Sequence, residues 1–328
     1  MIPLDSQYNL ILQNLSGNGN SLNVFMELMS FIGSVVFLTL LVAVVYWCID
    51  TRLGLRLGIS LFITNNLYSI FKLALHSPRP YWVDSKVKAL STESSFGFPS
   101  GHANMSSAIY GYLGINTRKR QWITGALLLI FLIGFSRVYL GVHFISDVLG
   151  GWVLGFVLIG LMFNLDKPVT DWVKRENSFV VFIVTALLGI VFIASGYFFY
   201  AQLTPWQMPI GWVTQSASTI HPVTMKDVVD SAGIWIGFAA GACWLRVLTG
   251  HEGKFDISGN ISRLIWRCLL GIAGILLIYG SLGLITPHSD SVVALVVRFI
   301  RSGLTGFWLS GLAPFVFHKT GLAVIKKA

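Results

Sequence analysis

Charge is what this sequence has least of. Only 11% of its 328 residues are Asp, Glu, Lys or Arg, against about 25% in soluble domains. With 54% hydrophobic residues and a mean hydropathy of +0.71, the chain has too little polar surface for a water-soluble globule, so lipid must form part of its solvent. Cysteine is scarce too. Cys48, Cys243 and Cys268 lie within or at the edges of apolar runs without CxxC spacing, and they read as small buried hydrophobes rather than a disulfide framework. The opening MIPLDSQYNLILQNLSGNGN has no basic n-region, long apolar h-region or cleavage site, so it is not a standard signal peptide. It reads as a short interfacial segment, with Ile2, Leu4, Leu10 and Ile11 toward lipid. Asn14-Leu15-Ser16 matches a glycosylation sequon, a pattern common by chance. The net charge of +9 comes from basic residues scattered between apolar runs, without a stripe or an aromatic-interleaved patch. That distribution excludes a nucleic-acid partner and suits topology signals.

What the sequence does have is long apolar runs. A bilayer core needs about 20 apolar residues per helix, and candidate spans fall at 29–49, 53–75, 102–116, 121–140, 145–165, 178–200, 228–248, 264–286 and 302–318. The expected fold is therefore all-α, a polytopic membrane helical bundle of about nine transmembrane helices. Residues 1–28 form an extracytoplasmic segment, 29–165 a five-helix core, and 166–328 additional helices of the same bundle. Sorting the 23 Lys and Arg residues by loop puts fifteen on one side and eight on the other. By the positive-inside rule the fifteen are cytoplasmic, which puts the N-terminus outside and the C-terminus inside.

Ionisable groups at membrane depth cost about 2.5–3.5 kcal/mol each on insertion scales, so each needs a reason. Lys72 and Arg79 are seven residues apart near the end of the second span, about two helical turns. Pro78 and Pro80 stop the helix and free Arg79 to turn inward. Alone, such a pair is more often two cations snorkelling to the interface. Pro99-Ser100-Gly101-His102 opens the third span. Ser100 suits an N-cap, Gly101 permits close approach to the backbone, and the unpaired N–H groups of a helix start favour an anion. Alone, this is also an ordinary capped helix. In Ser136-Arg137-x5-His143-x3-Asp147, the carboxylate follows His143 by one helical turn and can hold one imidazole nitrogen, leaving the other basic. Alone, such a pair is often structural. Topology brings all three clusters to the outer face, where a phosphate site explains them together.

These three motifs, complete and in order, resemble the signature of the type-2 phosphatidic acid phosphatase superfamily, which shares its helical core with vanadium haloperoxidases. The resemblance covers roughly residues 29–165. Nine spans with the N-terminus outside, together with Arg79-Pro80-Tyr81-Trp82, are also similar to the glucose-6-phosphatase and sphingosine-phosphate phosphatase branches. The resemblance implies a metal-independent phosphoric monoester hydrolase without a cofactor, or an acid anhydride hydrolase if the substrate is a polyprenyl pyrophosphate. Lys72, Arg79 and Arg137 would bind phosphoryl oxygens with help from Ser100 and the Gly101 N–H. His143 would attack phosphorus, Asp147 would orient it, and His102 would protonate the leaving group and then activate water. The expected partners are a membrane lipid, a lipid phosphate substrate and inhibitory vanadate or phosphate. A sugar phosphatase and a lipid phosphotransferase using the same phosphohistidine are the alternatives. His76 is expected at the site entrance, and His221, His251, His288 and His318 in loops or at interfaces. The last four spans either widen a lipid groove or form a homodimer contact. The expected location is a bacterial inner membrane, with the site facing the periplasm.

Overall fold

The computed structural model describes residues 4–15, 20–91, 93–203, 206–216, 220–250, 255–287 and 289–324. Among the described residues every regular element is a helix, apart from one isolated antiparallel bridge between Asp256 and Val324. In chain order the helices are α1 (Leu4–Leu15), α2 (Asn20–Ile32), α3 (Val35–Val44), α4 (Thr51–Leu75), α5 (Pro80–Val83), α6 (Gly101–Asn116), α7 (Arg120–Tyr139), α8 (Ile145–Arg175), α9 (Ser178–Leu203), α10 (Ile210–Gln215), α11 (Lys226–Leu248), α12 (Ile261–Ile285), α13 (Val292–Phe307) and α14 (Ala313–Lys319).

Six of the described elements are long and apolar enough to cross a membrane: α7, α8, α9, α11, α12 and the stretch Val292–Lys319. A seventh arises if α2 and α3, bent by 55° at their junction, count as one. The chain is thus an integral membrane protein, but by this measure nine spans do not stand out. The expected third span, α6, has only 16 residues. The second, α4, is diluted by Asn65, Asn66 and Ser69. The expected first span, 29–49, starts inside α2 and breaks at Gly33-Ser34, where Ser34 Oγ accepts from the Phe37 amide at 3.2 Å and begins a new helix.

The chain forms two compact units. The first comprises residues 1–38, 67–161 and 196–224; the second comprises 39–66, 162–195 and 225–328. In the first, α6 is the most enclosed helix, buried almost continuously from Ala103 to Tyr112. Small residues let α8 approach it. A Cβ on Gly151 would lie 2.6 Å from the Ser100 carbonyl oxygen, and one on Gly155 would lie 2.0 Å from Ser107 Oγ. This small-xxx-small spacing is how helices pack where lipid supplies no hydrophobic drive. The Ser100 amide donates to the Asp147 carbonyl at 2.9 Å, so the first turns of α6 and α8 are also tied by backbone.

In the second unit, α11 and α13 meet through Gly237, whose Cβ would lie 1.8 Å from the Gly303 carbonyl oxygen. Several basic residues here are structural rather than topology signals. Arg267 is fully buried and donates to the carbonyls of Trp47, Ile257, Ser258 and Leu322. Arg298 and Arg301 flank Asp230 at 3.0 and 3.6 Å. The cysteines are not all buried hydrophobes either: Cys243 is buried, but Cys48 and Cys268 are partly exposed, with sulfurs 3.5 Å apart.

Candidate active site

The first compact unit holds every residue singled out for phosphate chemistry. Helix α4 ends at Leu75, and His76 takes a left-handed conformation, φ 34°. The chain then extends through Arg79, which precedes Pro80 at the first position of α5. This geometry turns the Arg79 side chain fully inward. Its Nε donates to the Ser95 carbonyl (2.6 Å), and its terminal nitrogens donate to the carbonyls of Val142 (2.8 Å) and Phe96 (3.1 Å). Lys72, also buried, donates to Ser95 Oγ at 2.8 Å and lies over the Tyr68 ring. The Lys72 and Arg79 pair is therefore turned into protein.

Ser100 is the N-cap of α6; its Oγ accepts from the Ala103 amide at 3.5 Å. At Gly101 the close neighbour is the Tyr68 ring, about 3.0 Å from where a Cβ would stand. His102 follows in the first turn. It borders a cavity of about 460 Å³ with Glu27, Ser30, Ser34, Ser91, Glu93 and Arg137.

His143 does not sit on a helix, as its spacing to Asp147 suggests. It lies in the turn between α7 and α8, and Asp147 occupies the first turn of α8. Asp147 Oδ2 accepts from the Phe144 amide at 3.0 Å and faces His143 Nδ1 at 3.1 Å. With Nδ1–H donating to the carboxylate, Nε2 keeps its lone pair. Nε2 lies 3.3 Å from an Arg79 terminal nitrogen. Burial, and then the charges of Arg79, Arg137 and Lys72, hold the His143 pKa well below the usual histidine value, so the ring is neutral. Arg137, buried at the end of α7, donates to Ser30 Oγ and to Glu93 Oε1, and its Nε has no partner.

Sequence reasoning missed Glu93. Its carboxylate pairs with Arg137 and lies 3.7 Å from Arg79. Burial would raise its pKa, but Arg137 and Arg79 outweigh this and hold it ionised well below the usual carboxylate range. A carboxylate held by two guanidiniums marks the place of an oxyanion. The only signal in sequence was position: an acid seven residues before Ser100, in a serine-rich loop that reads as solvated. Ser95, in the same loop, was missed for the same reason, and Ser30 because a lone serine in the apolar helix α2 carries no sign of a partner.

His76 makes edge contacts with Phe96 and Trp206. His221 is exposed in a loop and His318 lies in α14. His251, His288 and Ser16 of the sequon lie outside the described residues. Among the described residues, no group of three or more His, Cys, Asp or Glu side chains is arranged to hold a metal ion.

Residues 53–171 match the PAP2 superfamily, and residues 229–325 match the PAP2 superfamily phosphatase transmembrane extension. The chain is 38% identical over 86 residues to phosphatidylglycerophosphatase B of Bacillus subtilis (strain 168), covering 24% of this chain and 42% of that protein. It is 26% identical over 184 residues to lipid phosphate phosphatase delta of Arabidopsis thaliana, covering 52% and 44%. It is 33% identical over 105 residues to undecaprenyl-diphosphatase of Sulfolobus acidocaldarius, covering 32% and 50%. The matched part thus spans half or less of each relative's length. No solved structure matches. With both segments matched and all three motifs gathered in one unit, the chain belongs to the PAP2 superfamily.

Proposed function

We propose that this protein is a membrane phosphatase that hydrolyses a lipid phosphomonoester or pyrophosphate through a phosphohistidine on His143, without a metal. The observation that carries the reading is a carboxylate bound between Arg137 and Arg79, with an Arg79 terminal nitrogen 3.3 Å from His143 Nε2. A phosphoryl group would displace Glu93 and take its place among Lys72, Arg79 and Arg137, with the Ser100 and Gly101 helix start helping. Fixed cations there neutralise charge that spreads over three equatorial oxygens.

The reaction proceeds in two displacements. The His143 Nε2 lone pair forms a bond to phosphorus as the P–O ester bond breaks. The departing electron pair goes to the leaving oxygen, which takes a proton from His102. Asp147 holds the Nδ1 proton and stabilises the positive ring. Water then attacks phosphorus, His102 takes its proton, and the N–P electron pair returns to Nε2. We further propose nine spans, counting α4 and α6, with the N-terminus outside and the site facing the periplasm of a bacterial inner membrane. An interfacial site lets the headgroup enter while the chains stay in the bilayer.

The test is a base-quenched incubation with 32P-labelled dioctanoyl phosphatidate. The expected result is an alkali-stable, acid-labile phosphoryl group on the wild type and none on His143→Asn, unchanged by EDTA. No label, or a label that survives acid, overturns the mechanism. A second reading, a soluble sugar phosphate as substrate, has one observation in its favour. The cavity beside Arg137 is bordered by Glu27, Ser30, Ser34 and Ser91, which suit a hydroxyl-rich leaving group. Faster turnover of glucose 6-phosphate than of the lipid would favour it.

A further inference from the structure

The turn that carries His143 is held from outside by the N-terminal helix. Residues 137–144 leave α7, reverse direction and enter α8, and their carbonyls need donors once buried. Some are satisfied within the turn: the Val142 and His143 amides donate to the Arg137 carbonyl, and the Leu140 amide to Ser136. The Val138 and His143 carbonyls are reached by Asn9 of α1. Its fully buried Nδ2 donates to the Val138 oxygen at 2.7 Å and to the His143 oxygen at 3.0 Å. One amide group thereby fixes the two ends of a reversal five residues apart.

Gln13, one turn later on the same face, takes the next position. Its Nε2 donates to the Tyr139 carbonyl at 3.2 Å and to the Lys88 carbonyl at 2.8 Å, and its Oε1 accepts from the Lys88 amide at 3.1 Å. Gly141 makes room for this contact. Its φ is 74°, and a Cβ there would lie 2.8 Å from Gln13 Nε2 and 2.4 Å from the Lys88 oxygen. Ser6 anchors the start of α1 by donating to Asp84 Oδ2 at 3.2 Å. The opposite side of α1 exposes Tyr8 and Ile11, so this helix buries its polar stripe and leaves an apolar one outward.

We infer that Asn9, seconded by Gln13, is a positioning residue for the nucleophile: α1 sets where His143 Nε2 points while touching neither substrate nor phosphate. The inference rests on His143 being the nucleophile. Phosphate binding is assigned to Lys72, Arg79 and Arg137, which hydrogen-bond to Ser30, Glu93, Ser95, Phe96 and Val142. Misaiming the nucleophile should therefore slow the first displacement and leave oxyanion affinity alone.

The experiment compares wild type, Asn9→Ala, Gln13→Ala and His143→Asn in detergent. It reads kcat with p-nitrophenyl phosphate and dioctanoyl phosphatidate, and Ki for inorganic phosphate. The expected result is a kcat loss of about tenfold or more for Asn9→Ala on both substrates, because both are attacked by the same Nε2. Phosphate Ki should stay within about twofold, and Gln13→Ala should follow the same pattern more weakly. Unchanged kcat in folded Asn9→Ala overturns the inference, as does a loss of phosphate affinity in step with kcat. Should Asn9→Ala fail to fold, Gln13→Ala carries the test, and a normal kcat there overturns it. If His143→Asn keeps wild-type turnover, the nucleophile assignment fails first and the inference with it.

Discussion

Glu93 makes a prediction unlike that of any other side chain in the site. Its carboxylate pairs with both Arg137 and Arg79, so under the proposed mechanism it would compete with the product as well as the substrate. Glu93→Gln should lower the Ki of inorganic phosphate several-fold, because a neutral amide competes less well for Arg137. Unchanged or weaker phosphate inhibition would contradict this. His143 makes a prediction about stability. Its folded pKa lies well below its unfolded value near 6.5, so below that pH the unfolded chain binds a proton that the folded chain does not. Stability therefore falls as pH drops below about 6.5, by at most about 1.4 kcal/mol per pH unit for one group. His143→Asn removes this term, so thermal unfolding between pH 7 and 5 should show the wild type losing ground to the variant. A parallel pH dependence would contradict a neutral buried His143. At this scale the sequence was readable wherever charge sat among apolar residues, as at Lys72, Arg79, Arg137 and Asp147. It was opaque at Glu93 and Ser95, because a polar residue in a polar loop carries no sign of burial.

Helix packing has its own sensitive points. Gly151 and Gly155 bring the α8 backbone onto α6, whose first turn is tied to α8 by the Ser100 amide donating to the Asp147 carbonyl. Gly155→Ala places a methyl 2.0 Å from Ser107 Oγ. It should cost about 1–3 kcal/mol of stability and reduce kcat, measured by thermal unfolding in detergent and by turnover. Gly160, with open space around it, is the control: Gly160→Ala should leave kcat intact. Most helices could be foreseen from apolar runs, but two features could not. The break at Gly33-Ser34 depends on the tight approach of Ile133, 2.4 Å from where a Gly33 Cβ would be. The polar face of α1 reads as water-facing in a sequence. Here Ser6, Asn9 and Gln13 instead meet backbone carbonyls and a carboxylate.

For the whole molecule, the proposed sidedness puts the loop after α5 outside and the short link between α6 and α7 inside. In a variant lacking Cys48, Cys243 and Cys268, an impermeant maleimide should label Ser94→Cys in intact cells. It should label Lys119→Cys only after permeabilisation; the reverse pattern would invert the topology. The family was legible because its three motifs are short and chemically demanding. The substrate was not, because the cavity that borders His102 and Arg137 draws its walls from scattered residues such as Glu27, Ser34 and Ser91. The most direct test of the shared oxyanion pocket is an experimental structure with vanadate bound. The vanadium should lie within bonding distance of His143 Nε2, its oxygens on Lys72, Arg79 and Arg137, with Glu93 turned away. Vanadate bound elsewhere at saturation, with Glu93 still held by Arg137, would contradict the account.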